Sequence, residues 1–258
     1  MRIKALACDL DGTLLINGDK TVSEEDLGLI EKLIDEGVFF VAASGRQYAN
    51  LQKLFYPFKE RMGYICENGC LSIIGDKIID KEVMDPDIAH KIIDRGRLKE
   101  GCEILVSGVN TCYIEPKNMS FYDHMVNFVG NDTTIVDNLK ELPEEYFKVS
   151  LFEKDGIFDI DYWKEEFGQC CNVVIGTDCW IDITPKGVNK GSALERLLIH
   201  MGISSEDVMA IGDNENDIEM LKMVGWPVIM NSSNPVIFGL ERIRTQTVTD
   251  MLRKLVEE

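Results

Sequence analysis

Val38-Phe39-Phe40-Val41-Ala42-Ala43 is an unbroken apolar run that meets Ser44-Gly45-Arg46. A strand with one wet face alternates apolar and polar side chains, so a continuous run requires cover on both faces. Strands of that kind sit in parallel sheets with helices above and below. Ile3 to Asp9 reads as a second such strand. Between the two, Ser23 and Asp26 have capping-box spacing, with Asp replacing the usual Glu or Gln. Leu27, Ile30, Leu33 and Ile34 then mark one helical face that stops at Gly37. A short helix over 47–55 and a strand at Tyr64-Ile65-Cys66 complete a βαβαβ order with right-handed crossovers. The pattern resumes late in the chain. Gly191 to Met201 reads as a helix, Val208 to Gly212 as a strand, Ile218 to Met223 as a helix and Pro227 to Met230 as a strand. Asn234-Pro235 reads as an N-cap with proline at the first helical position.

The middle follows a different rule. A helix over 86–99 precedes a strand pair, 103–107 and 111–115, around Gly108-Val109-Asn110. Helix 119–128, strand 147–152, helix 159–167 and a second strand pair, 172–176 and 179–184, follow. Paired strands predict an antiparallel sheet with helices on one face. The expected organisation is an α/β core from 1–79 and 185–258, with an α+β domain inserted over 80–184. Gly75-Asp76, Asp85-Pro86 and Pro185 fit hinge or linker positions.

In an open α/β sheet, ligands bind beyond the carboxyl ends of the strands. The first strand ends in Asp9-Leu10-Asp11-Gly12-Thr13. Residues i and i+2 of a strand share a face, so Asp9 and Asp11 point the same way. Two desolvated carboxylates repel unless a cation compensates them, and magnesium takes one or two carboxylates plus phosphate oxygens. The plain alternative is a turn made by ordinary Asp and Gly turn formers. Ser44-Gly45 ends the second strand and Asp213 the late one, and Lys190 precedes a helix. Each has an ordinary explanation as a cap, a turn or a surface lysine; together at one sheet edge they describe a site.

This set resembles the haloacid dehalogenase superfamily of phosphotransferases. Its four motifs match Asp9-Leu10-Asp11-Gly12-Thr13, Ser44, Lys190 within Pro185 to Gly191, and Gly212-Asp213-Asn214-Glu215-Asn216-Asp217. The insertion between the second and third motifs resembles the C2-capped branch, and its helix–strand order is similar to Cof-type sugar-phosphate phosphatases. Cof-like sequences often carry Gly-Asn-Ala after the fourth motif; here the stretch is Met230-Asn231-Ser232-Ser233-Asn234-Pro235. The resemblance implies a Rossmann-like parallel-sheet core with an inserted α+β (C2B-type) cap that closes over the site. It implies a Mg2+-dependent phosphomonoester hydrolase acting on sugar phosphates or similar small phosphorylated metabolites. Asp9 would be the nucleophile and Asp11 the acid and base. Leu10, Ser44, Gly45, Lys190 and Asn216 would bind phosphate. Asp9, Asp11 through its carbonyl, Asp213, and Asn214 or Asp217 would hold the metal. A phosphomutase and a non-catalytic phospho-ligand-binding protein are the alternatives on the same scaffold. A signalling receiver fits poorly, because its phosphate acceptor lies on a later strand and it lacks such an insertion.

The charge balance narrows the partners. With 45 acidic and 27 basic residues the net charge is −18, which disfavours nucleic acid and anionic membrane surfaces. No apolar stretch reaches the ~20 residues of a membrane span. Eight cysteines and no signal-peptide pattern give the expectation of a reducing cytoplasm and free thiols. The Cys66/Cys70 spacing and the Cys170-Cys171 pair lack zinc-ligand partners, and His90, His124 and His200 are dispersed. Tyr113, Phe121, Tyr122 and Trp180 read as cap core rather than a substrate-stacking platform, and the tips at Gly108-Val109-Asn110 and Thr177-Asp178 are candidate specificity elements, with ordinary loop tips as the plain alternative. Oligomeric state is not legible.

Overall fold

A computed structural model describes residues 3–16, 18–156, 159–177 and 179–257. They form two compact units, one built from the chain up to Lys81 and from Asn189 onward, the other from Glu82–Val188.

Among the described residues the first unit carries an eight-stranded sheet. Its order is Ile243–Thr245, Trp226–Met230, Val208–Gly212, Ala5–Asp9, Phe39–Ala43, Gly63–Cys66, Leu71–Ile74, Lys77–Lys81. The first six are parallel and the last two antiparallel. The apolar runs are covered on both faces, as their composition demands. Ala5, Ala7, Val41 and Ile65 pack on one side with Leu194, Leu197 and Leu221. On alternate positions Leu6, Cys8, Phe40 and Tyr64 are equally buried, with Phe40 against Phe55. From Ala5–Asp9 the chain turns first to Phe39–Ala43 on one side and, after the second unit, to Val208–Gly212 on the other. The central strand is therefore a topological switch point, the place where open α/β sheets bind ligands.

Three features depart from the expected pattern. Gly75-Asp76 is a tight turn between Leu71–Ile74 and Lys77–Lys81, not a linker; Gly75 sits at φ +60°. Strand Ile243–Thr245 and helix Val248–Glu257 close the unit beyond the last expected cap. Asn234 does cap, but the turn it starts is a single 3-10 turn, Pro235–Ile237.

Among its described residues the second unit carries a six-stranded sheet ordered Cys171–Thr177, Trp180–Pro185, Lys148–Glu153, Cys102–Ser107, Cys112–Ile114, Thr133–Ile135. All pairs are antiparallel except the last, formed by a strand absent from the sequence reading. Asp85 caps helix Pro86–Leu98, so Asp85-Pro86 starts an element. That helix and Ile160–Phe167 cover one face through Ile92, Ile93, Trp163 and Phe167. The opposite face is not bare: Leu105, Ile114 and Phe152 pack with Phe121 and Met125. The helix expected over 119–128 is α-helical for Met119–Asp123 and π-helical for His124–Val129. Trp180 and Tyr122 join this cluster and Tyr113 the other, so these aromatics are core. Tyr113 donates to Glu144, whose other oxygen accepts from the N–H of Val109 and Asn110, pinning that tip. Asp178 lies outside the described residues.

Candidate active site

The register brings the polar strand ends together. Asp9 pairs with Ala43, one residue before Ser44, and Cys8 pairs with Ile211, two before Asp213. Lys190 opens helix Lys190–Met201, held by a reciprocal cap in which Asn189 accepts from Ser192 N–H at 2.8 Å. Gly191 keeps that helix close to its neighbour: a Cβ there would lie 2.5 Å from the Glu219 carbonyl carbon.

The Lys190 ammonium is completely buried and bridges two acids. It donates to Asp9 Oδ1 at 2.5 Å and to Asp217 Oδ1 at 2.7 Å. Asp217 Oδ2 accepts from the N–H of Asp213 at 2.9 Å and of Asn214 at 3.1 Å. Asp213 Oδ1 accepts from the Thr13 hydroxyl at 2.7 Å. Asp9, Asp213 and Asp217 each bring an oxygen within 4.8 Å of the others. Against these three carboxylates stands one ammonium, an imbalance that burial makes costly. Burial, then the Asp217 charge, hold the Asp9 carboxyl well above its ordinary range despite Lys190. Burial raises Asp213 as well, against its bond from Thr13. For Lys190 burial opposes the charge, but Asp217 and Asp9 outweigh it and the ammonium is held more firmly than usual. A compact site with surplus buried carboxylate oxygens suits a small hard divalent cation.

The loop after Asp9 is shaped by close approach. Gly12 sits at φ +90°, and a Cβ there would lie 2.5 Å from Asp213 Oδ2. Gly12→Ala is expected to cost at least about 1–3 kcal/mol in urea unfolding. Gly28→Ala, in a helix with open space around it, is expected to stabilise by ~0.5–1 kcal/mol.

The remaining expected residues divide. Ser44 is buried, its Oγ accepting from Arg46 N–H at 3.2 Å and its carbonyl from Asn68 N–H at 3.1 Å. Gly45 faces the Asn68 side chain, and Asn216 donates to Asn68 Oδ1 at 3.3 Å. Asn214 Oδ1 accepts from Glu215 N–H at 2.8 Å and from the Asn234 amide at 3.2 Å. The Asp11 side chain is about half exposed, outside the carboxylate cluster, and engaged by Arg46. Arg46, Asn68 and the Asp217–Lys190 pair escaped sequence reading. Only Asn68-Gly69 carried a signal, the turn dipeptide; Glu67 and Asn68 both adopt left-handed φ, 51° and 56°. His124 stacks on Phe128 and Phe152, and the described cysteines are all free thiols.

Comparison with known proteins covers nearly the whole chain. A family model described as haloacid dehalogenase-like hydrolase matches residues 6–250. The chain is 25% identical over 264 residues to 5-amino-6-(5-phospho-D-ribitylamino)uracil phosphatase YbjI of Escherichia coli, covering 100% of this chain and 97% of that protein. It is 25% identical over 237 residues to HMP-PP phosphatase of an Enterobacter species, covering 90% and 86%. The solved structure of the HAD subclass IIB sugar phosphatase BT4131 superposes with a TM-score of 0.80 at 21% identity, covering 98% of each chain, a likeness of fold.

Proposed function

From the premise that the chain belongs to the haloacid dehalogenase-like hydrolases, we propose that it is a magnesium-dependent phosphatase of small phosphorylated metabolites, working through an aspartyl-phosphate on Asp9. The observation that carries this reading is the buried Asp9–Lys190–Asp217 bridge at the switch point of the sheet. A carboxylate beside a fixed ammonium is a nucleophile with a phosphoryl-oxygen donor already next to it.

In the first half-reaction an Asp9 oxygen bonds to phosphorus as the bond to the leaving oxygen breaks, and Asp11 gives that oxygen its proton. In the second, water attacks the same phosphorus, its proton passes to Asp11, and the Asp9–phosphorus link breaks to free inorganic phosphate. Charge spreads over the phosphoryl oxygens in both transition states. Lys190, the Ser44 hydroxyl and the N–H groups of Leu10 and Gly45 are assigned as the donors that meet it, with Asn216 beside them. Donors carried on strand and helix ends would need little reorganisation during the reaction.

Asp9, the Asp11 carbonyl and Asp213 would hold magnesium, which when bound offsets the repulsion between carboxylate and phosphate. Both Asp217 oxygens already accept hydrogen bonds from the protein, so Asp217 is assigned to holding Lys190 and the Asp213 loop. The substrate class follows the relatives, whose names specify a phosphoribitylamino uracil and HMP-PP.

Phosphate release from a panel of alkyl phosphomonoesters with magnesium tests the reading. Sugar phosphates are expected to give free phosphate in stoichiometric yield. Interconversion of sugar phosphates with little free phosphate would point to a mutase. No turnover of any panel member would count against catalysis altogether.

A further inference from the structure

Arg46 meets Asp11 as a fork. Its Nε donates to Asp11 Oδ2 at 2.9 Å and its Nη2 to Oδ1 at 2.6 Å. The backbone of Arg46 is itself anchored: its N–H donates to Ser44 Oγ and its carbonyl accepts from Glu67 N–H, each at 3.2 Å. The fork therefore ties the loop that carries Ser44 and Gly45 to the loop that carries Asp9 and Asp11. With Asp11 half exposed, what the two-pronged geometry adds over a single contact is orientation: it fixes the plane of the carboxylate as well as its distance. A carboxylate offers about four acceptor positions; the fork occupies one on each oxygen and leaves the others open.

We infer that Arg46 is a positioning residue that aims the Asp11 carboxylate for both proton transfers. The inference rests on the assignment of Asp11 as acid and base. Those transfers run in opposite directions at nearly the same point in space, first to the leaving oxygen and then from water. A single exposed carboxyl can serve both only if its plane is held. A planar guanidinium fixes that plane, and a lysine ammonium, a point charge, does not.

The test uses stopped-flow kinetics with 4-nitrophenyl phosphate and magnesium, on the wild type, Arg46→Ala, Arg46→Lys, Asp11→Asn and the Arg46→Ala/Asp11→Asn pair. Nitrophenolate leaves without a proton, so phosphorylation of Asp9 bypasses Asp11, whereas breakdown of the aspartyl-phosphate still needs it. Arg46→Ala and Arg46→Lys are expected to release about one equivalent of nitrophenolate in a first turnover within about 3-fold of the wild-type rate. Steady-state turnover is expected to fall by roughly 10–100-fold. Asp11→Asn should show the same split, and adding Arg46→Ala to it should cost less than about 2-fold. A first turnover that slows in step with the steady state would make Arg46 a part of loop structure and overturn the inference. So would additive losses in the double variant, or a steady state within about 2-fold of wild type. Arg46→Lys carries the test if Arg46→Ala does not fold. A wild type that releases no phosphate from any ester would instead overturn the phosphatase reading itself.

Discussion

Asp9→Asn is expected to abolish phosphate release, by at least roughly 10³-fold, because in the proposed mechanism it removes the attacking oxygen and with it the covalent route. The same variant is expected to be more stable than the wild type when metal-free at neutral pH. Burial and Asp217 hold the Asp9 carboxyl above its ordinary value of 3.8. The native state therefore binds that proton more tightly than the unfolded chain does. As pH rises from the ordinary value through the raised one, the wild type loses stability, and the loss persists at higher pH. Asparagine carries no such cost and still accepts a hydrogen bond from Lys190. Thermal melts in a chelator should show the two proteins converging in acid and the variant ahead by a few degrees at pH 7. Retained turnover would remove Asp9 as nucleophile; a wild type that melts higher at every pH would show that Lys190 outweighs the burial cost.

Lys190→Ala carries the second large effect, on rate and fold together. Loss of a preorganised donor to the phosphoryl oxygens is expected to lower kcat by roughly 10²-fold or more. Truncation also leaves Asp9 and Asp217 buried without their cation. Breaking a buried pair from one side typically costs about 3–5 kcal/mol, a drop on the order of 10 °C in melting temperature. The loss should be largest in chelator and shrink with added magnesium, which supplies a replacement charge to Asp9. A two-fold change in kcat with an unchanged melt would reduce Lys190 to a bystander.

What could be read from the sequence follows from what physics writes locally. Val38 to Ala43 and Val208 to Gly212 announce buried strands because every position is apolar, and the polar residues that end them mark the edge of the candidate site. The hairpin Leu71–Ile74 with Lys77–Lys81 was not legible. Ser72, Lys77, Asp80 and Lys81 dilute its apolar content, and Gly75-Asp76 has the same composition whether it joins strands or domains. Thr133–Ile135 and Ile243–Thr245 are too short to show a period. Val248–Glu257 is a different case: Val248, Met251, Leu252 and Leu255 are buried at helical spacing, a pattern that is written in the sequence. Within the site, Lys190, Asp9 and Asp213 were legible as residue types at strand and helix ends. Their connections were not, because the Asp9–Lys190 bond spans 181 residues and the Arg46–Asp11 fork 35.

The strand order has a consequence for how the chain is made. Ala5–Asp9 is synthesised about 200 residues before one of its two parallel neighbours, Val208–Gly212. At roughly 5–20 residues per second, about 10–40 s separate the two. Throughout that interval the nascent chain holds an apolar strand with one open edge, the arrangement most prone to mispairing. The whole of Glu82–Val188 is synthesised inside the same interval, so it is free to complete its own sheet while the first unit waits for its missing half. Slow codons placed after that segment would prolong the exposure, and a holdase that covers strand edges would shorten its effect.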